Sequence, residues 1–320
     1  MSMLSRVADS LFWTGRYLER AEHIARMVNV NLNLTLDRAP GDAARHWGRL
    51  LESLPVPPPW PAPTTPDSLD RGTVDLANRE AIAACVGTAR ENARQVREEI
   101  STEMWQKINR LFLTVQRRQP AESDWTSGTH EFLTSVMDGV HLFQGVTDAT
   151  MTHSEGWHFI ELGRYLERTI ATAALVDVQY RECDTSGVHI DTVSDYVEWV
   201  GLLKSCCAFE AYCRHYTADV RSLRIAEFLV LNPDFPRSIR FAAGRVQASL
   251  EAISGLTGRT NSRADRLAGR LLASLDYGQM DELIGELSAY LQGIGRQASQ
   301  INAAVQQEYI AYPIDSGLTL

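Results

Sequence analysis

The chain has 320 residues, 44% apolar and 22% charged, with a formal net charge of −9. That length holds one elongated domain or two smaller ones, and the acidic balance argues against free nucleic acid as a partner. No run of ~18 uncharged apolar residues occurs, and the first ten residues are charged and short of an apolar segment, so neither a membrane span nor a secretory leader is expected.

Apolar residues recur at three and four almost throughout. Leu4, Val7, Leu11, Leu18, Ala25, Val28 and Leu32 mark a first helix running to about Leu36. A second stretch, Asp42–Leu54, stops at a proline-rich loop, residues 55–66, which holds seven of the twelve prolines and reads as polyproline-like. Helical patterning resumes from Val74 to about Arg118, with a bend near Ser101–Thr102. Trp125–Thr150, Glu155–Arg181, Thr192–His215 and Arg221–Leu231 follow, then the loop NPDFPRS. Pro236–Leu256, Arg263–Leu275 and Met280–Tyr309 complete the chain. Alternating β-branched runs are nearly absent, so the fold class is all-α, an elongated bundle of long antiparallel helices.

The hexapeptide GRYLER occurs at Gly15–Arg20 and again at Gly163–Arg168. Flanking residues agree in character, as in Met27/Leu175 and Val28/Val176. An internal duplication with halves 1–150 and 151–320 is the working expectation, with the two helices facing each other near a pseudo-twofold axis. A mid-helix glycine costs ~1 kcal/mol relative to alanine, so both copies call for close helix contact.

The charged residues of the motif sit beside the apolar stripe and need partners. Glu19 with Arg168 and Glu167 with Arg20 form the symmetric solution. That arrangement is either purely structural or the frame of a site in which Arg16, Arg20, Arg164 and Arg168 receive a carboxylate or phosphate, for which the planar guanidinium is suited, while Glu19 and Glu167 hold the arginines in place or bind an amine. A further alternative makes Glu19 or Glu167 a general base, although a neighbouring arginine lowers a carboxyl pKa.

The opening LSRVADSLFWTGRYLERAEHIARM resembles the bacterial alpha-E family. ARENARQVREEISTEMWQKIN, GWHFIELGRYLER and AEFLVLNPDFPRSIRF carry the same likeness in the same order, so it spans nearly the whole chain as a single domain. His153 stands where the family leads one to expect arginine. The resemblance implies a context: a circularly permuted ATP-grasp ligase, often with a transglutaminase-like peptidase, making or attaching small peptides. It implies no established chemistry for this component, and the expected role is a binding or partner subunit for a peptide, an amino acid or an acyl phosphate.

Other segments allow two readings each. Arg90, Arg94 and Arg97 share a face that is either solvated and salt-bridged or joined, through Arg90 and Asn92, to the GRYLER site. In NPDFPRS, Pro236 suits a first helical turn, and the free N–H groups with Arg237, Ser238 and Arg240 would make an anion seat. Otherwise the loop only caps a helix. Glu155 and His158 have E-x-x-H spacing, but no second such element accompanies them, so no metal and no cofactor are expected. Cys206 and Cys213, seven apart, read as buried small hydrophobes on one helix. The five cysteines form no C-x-x-C pair, which suits reduced thiols in a cytoplasm. Neither a phosphate-binding glycine loop nor a G-x-S-x-G elbow is present. A homo-oligomer built on apolar edges is also allowed.

Overall fold

The computed structural model describes residues 3–34, 46–48, 50–54, 71–117, 127–186, 193–217, 219–259 and 261–310. The helices are α1 (Ser5–Leu34), α2 (Arg71–Gln95), α3 (Thr102–Arg117), α4 (Ser127–Thr150), α5 (Glu155–Ser186) and α6 (Val193–Ser205). They continue as α7 (Phe209–Tyr216), α8 (Ser222–Leu231), α9 (Ile239–Thr257), α10 (Arg263–Asp276), α11 (Met280–Leu283) and α12 (Leu287–Val305), which ends in a π turn, Gln306–Ile310. Among the described residues there is no strand, and the all-α expectation holds. The proline-rich loop and residues 42–45 of the second stretch lie outside the described residues; 46–48 and 50–52 are helical, with Trp47 buried.

The long periodic runs end where backbone chemistry interrupts them. The stretch from Val74 divides into α2 and α3, and the Ser101 hydroxyl accepts from the Met104 N–H at 3.1 Å to start α3. Thr192–His215, read as one helix, is two. Cys207 takes a left-handed conformation (φ 51°), and the Ala208 N–H reaches back to the Leu203 carbonyl at 2.7 Å. Cys206 therefore lies between helices, buried, while Cys213 is half-buried on α7. Met280–Tyr309 is broken by a 3₁₀ turn, Ile284–Glu286. Pro236 lies outside α9: Ser238 is the N-cap and its side chain accepts from the Phe241 N–H at 3.1 Å.

Two helices organise the rest. Helix α1 packs against α2, α4, α5 and α6, and α5 packs in turn on α9 and α12. Both are therefore buried on several sides: Phe12, Leu18, Ile24 and Met27 on α1, and Phe159, Leu162, Leu166 and Val176 on α5, lie within the core. A polar residue on such a helix has few positions that reach water.

The crossing of α1 and α5 depends on the two motif glycines. A Cβ at Gly15 would overlap the Ile160 carbonyl oxygen and lie 3.1 Å from the Arg164 nitrogen. A Cβ at Gly163 would overlap the Phe12 carbonyl oxygen and lie 3.3 Å from the Arg16 side chain. Phe12 and Ile160 each stand three residues before their own helix's glycine, so the contact is reciprocal. The obstructing atoms are backbone, which cannot rotate aside.

Alanine normally stabilises a helix interior by ~1 kcal/mol over glycine. Gly163→Ala should reverse that sign and lose about 1–3 kcal/mol in urea unfolding, as the helices are forced apart. Gly295→Ala on α12, where an added Cβ meets nothing within 4 Å, serves as the control and should be neutral or stabilising. Equal effects at the two positions would show that the close approach is not a constraint.

Candidate functional site

The glycine crossing brings the two GRYLER segments side by side and buries their charges. Arg168 grips Glu19 with two parallel bonds, Nε to Oε1 at 2.6 Å and an amino group to Oε2 at 2.8 Å. Arg20 grips Glu167 in the same way, at 2.5 and 3.1 Å. The symmetric pairing read from the sequence is therefore present, in the bidentate geometry that makes arginine–carboxylate bonds strong. The side chains of Glu19 and Glu167 are 1% and 0% exposed, so their charges need the arginines.

Beyond those pairs the symmetry breaks. Arg16 joins Glu167 at 2.7 Å and donates to Asn302 of α12 at 2.9 Å. Its counterpart Arg164 stands 3.8 Å from Glu19 and donates to Glu161 at 3.2 Å, while its buried Nε makes no hydrogen bond. The Arg164 side chain is 22% exposed against 7% for Arg16. Arg16 is fully committed inside the protein, whereas Arg164, the more exposed of the two, leaves its buried Nε without a hydrogen bond.

Arg237, from the loop before α9, also enters this network. It lies 2.7 Å from Glu22 and 3.8 Å from Glu19. Arg168 secures that loop by donating to the Pro236 carbonyl at 3.1 Å. Arg26 bonds the other Glu22 oxygen at 2.7 Å through Nε, and Gln144 of α4 reaches Glu19 at 3.3 Å. Glu22 and Arg26 have no charged equivalents in the second copy, where Ile170 and Ala174 stand. Sequence reasoning passed over this pair; the i,i+4 spacing of Glu22 and Arg26 was the available signal.

The residues expected to form an anion seat separate. Arg237 turns into the network, whereas Arg240 pairs with Asp276 at 2.8 Å. The Ser238 hydroxyl is used as the cap and donates to the Asn232 carbonyl at 2.5 Å. Arg90 and Asn92 are half-buried on α2. Arg90 bonds Asn109 at 2.7 Å and stacks over Trp105 and Phe112, all on α3, so that helix holds it by its own contacts. Arg94 and Glu91 form an exposed pair. His153 stacks on Trp157 with centroids 4.1 Å apart. Glu155 accepts from the Met3 backbone at 3.1 Å, and among the described residues no three His, Cys, Asp or Glu side chains gather into a metal-binding group.

Electrostatics follow from this geometry. Burial alone would push the Glu19, Glu22 and Glu167 carboxyls up. Arg168 and Arg237 around Glu19, Arg237 and Arg26 around Glu22, and Arg16 and Arg20 around Glu167 outweigh it and hold all three below the ordinary value. They are ionised and weakly basic at neutral pH. His23, also buried, is pushed down by burial and stays neutral. The Cys85 thiol near Arg20 is pushed up to about 12 by burial, which leaves it a poor nucleophile.

Three buried carboxylates thus face six guanidiniums: Arg16, Arg20, Arg26, Arg164, Arg168 and Arg237. Counting Glu161 at the edge adds a fourth carboxylate, but Arg245 comes with it at 3.5 Å. The network carries an excess of positive charge in a chain whose net charge is negative.

A carboxyl whose folded pKa is depressed adds stability that is complete above its unfolded value and is lost as pH falls through the folded value. Glu167→Gln should therefore cost about 3–5 kcal/mol near neutrality, because Arg16 and Arg20 lose their counter-charge. The gap to wild type should narrow as pH falls below the ordinary carboxyl value of 4.5, where the unfolded chain's Glu167 takes up a proton that the folded protein, with its lowered pKa, still resists. Urea unfolding across that range measures both; a gap independent of pH would contradict the ionised pairing.

An uncharacterized protein of Mycobacterium bovis (Mb2597) and one of Mycobacterium tuberculosis (Rv2567) are each 24% identical over 341 residues, covering 96% of this chain. The chain spans 37% of the length of these curated relatives. No solved structure matches it significantly. Among the described residues no helix is long and apolar enough to cross a membrane. Residues 3–310 match Alpha-E, described as a predicted alpha-helical domain with a conserved ER motif, and this chain carries Glu-Arg dipeptides at Glu19–Arg20 and Glu167–Arg168. The chain belongs to the Alpha-E family.

Proposed function

We propose that the protein is a binding subunit, and that its arginine network receives an anionic group of a peptide, an amino acid or an acyl phosphate. The observation that carries this reading is the charge imbalance together with its asymmetry. Buried charges in folded proteins are paired, yet six guanidiniums here share three fully buried carboxylates. The incompletely used donor, Arg164, sits at the network's more exposed edge. An incoming carboxylate or phosphate completes the pairing and meets a planar donor already oriented over Tyr165, whose ring centroid lies 5.1 Å away.

Binding suits the site better than general-base catalysis. Glu19 and Glu167 have both oxygens engaged by arginine and pKa values held down, so neither is tuned to take a proton near neutral pH. The alpha-E resemblance supplies the context of the proposal: a cytoplasmic system in which this subunit works beside a circularly permuted ATP-grasp ligase and a transglutaminase-like peptidase. An acyl phosphate is the activated intermediate such a ligase forms, and its dianionic end matches the surplus positive charge.

Thermal unfolding and calorimetry with inorganic phosphate, acetylphosphonate and glutamate test the reading. A ligand held at one hundred times its dissociation constant adds about 2.7 kcal/mol of stability. Arg164→Gln should fold normally and weaken binding at least ~10-fold, equivalent to about 1.4 kcal/mol, whereas the exposed Arg270→Gln should leave it unchanged. If no anion stabilises the wild type, or Arg164→Gln binds as well as wild type, the network is structural. Association of the purified chain with the ATP-grasp ligase, measured separately, tests the partnership.

A further inference from the structure

The NPDFPRS loop has two faces. One sends Arg237 and the Pro236 carbonyl into the arginine network. The Ser238–Asn232 bond closes the loop tightly, and Asn232 to Asp234 line a pocket of about 600 Å³ to which Arg237 does not contribute. That volume lies within the ~300–1,000 Å³ typical of small-molecule sites. Its walls come from α7, α8, the loop itself, Arg240 of α9 and residues 278–281 at the start of α11, so a single concavity draws on five separate segments.

The chemistry of this pocket is opposite to that of the network. Glu227, Asp234 and Asp281 line it, against one guanidinium, Arg240. Arg240 is already neutralised by Asp276 at 2.8 Å. Glu227 is held in place by the Tyr216 hydroxyl, which donates to it at 2.9 Å. Asp234 and Asp281 are exposed. His215 stands at the exposed side of the lining.

Aromatic surface accompanies the carboxylates. Tyr216 and Phe228 line the pocket with ring centroids 6.3 Å apart at 75°. Phe228 is buried and braced by Phe235 at 4.9 Å, which fixes the wall. Tyr216 already attracts one internal cation: Arg224, itself paired with Asp219 at 2.8 Å, lies 5.5 Å over its ring. Aromatic rings joined to carboxylates make a surface for ammonium and guanidinium groups, which gain from the ring quadrupole as well as from charge.

We propose that this pocket binds an organic cation of amino-acid size, a primary amine or a guanidinium, on the opposite side of the loop from the arginine network. The inference does not depend on the anion site, and the two are separable by experiment.

The test uses calorimetric titration of the full chain with Nα-acetyl-lysinamide and Nα-acetyl-argininamide. Nα-acetyl-norleucinamide, which keeps the hydrocarbon and lacks the charge, is the comparison. At least one cation should bind saturably and ~10-fold or more tighter than the neutral compound. The double variant Asp234→Asn/Asp281→Asn, altered only at exposed positions, should lose that binding, while Glu251→Gln on the far part of α9 should retain it. Should the double variant unfold, Glu227→Gln, which keeps a partner for Tyr216, takes its place. Arg164→Gln should leave cation binding intact. Equal affinity for the neutral compound, unchanged binding by the carboxamide variants, or no saturable binding of either cation would overturn the proposal.

Discussion

The structure rests on one steric fact: two long helices touch through backbone at Gly15 and Gly163. With Phe12 and Ile160 carbonyls filling the space a Cβ would occupy, the helices lie closer than side chains usually permit. Residues one turn beyond each glycine are then driven against the partner helix instead of toward water. Glu19 and Arg20 on one side, Glu167 and Arg168 on the other, meet in reciprocal bidentate pairs because the crossing leaves them no other place. The ER pair and the glycine before it act as one structural device. Burial at this depth also explains why the surrounding elements contribute polar groups, Gln144 from α4, Asn302 from α12 and Arg237 from the loop before α9. A buried ion pair with unsatisfied remaining lone pairs would be costly.

The arginines in this network are not interchangeable. Arg16 and Arg168 are 7% and 4% exposed in their side chains and reach protein acceptors outside the GRYLER pairs, Asn302 and the Pro236 carbonyl. They tie α1 and α5 to the C-terminal helices. Of the four hexapeptide arginines, Arg164 and Arg20, at 22% and 13%, are the more accessible. A duplicated motif would leave Arg16 and Arg164 alike, but their surroundings divide them: one reinforces the bundle, and the other is more exposed with its Nε unpaired. Anchoring the C-terminal helices and presenting accessible guanidinium surface therefore fall to different residues of the same hexapeptide.

The sequence made much of this legible, and for identifiable reasons. Helix class and most boundaries follow from three-and-four periodicity. The glycine contact and the Glu19–Arg168 and Glu167–Arg20 pairs follow from repetition, since two copies of a motif that each need a partner satisfy one another. What escaped depends on contacts distant in sequence. Nothing local in NPDFPRS says that Arg237 turns inward while Arg240 turns to Asp276, because their directions depend on where α1 and α10 pass. The break at Cys207 is a single left-handed residue without a glycine to announce it. Arg90 could be read either as part of a solvated face or as joining the site, and its segment's family likeness did not decide between them; its acceptor Asn109 and the rings beside it belong to α3.

The loop between α8 and α9 gives the molecule its chemical polarity. Arg237 and the Pro236 carbonyl belong to a guanidinium-rich side, and Asn232 and Asp234 belong to a carboxylate-rich one. Opposite charges held apart by a short, tightly bonded loop are costly unless each side is compensated locally. Glu22 and Glu19 do this for Arg237, which burial would otherwise discharge and which stays protonated because of them. The carboxylate side lacks a matching set of cations, since Arg240 is spent on Asp276. The two sides thus share one form of incompleteness with opposite sign, and both meet at the segment whose backbone Arg168 anchors. A change that loosened Arg168 from Pro236 would disturb both environments together, so this loop is the part of the fold on which site geometry, rather than bulk stability, most directly depends.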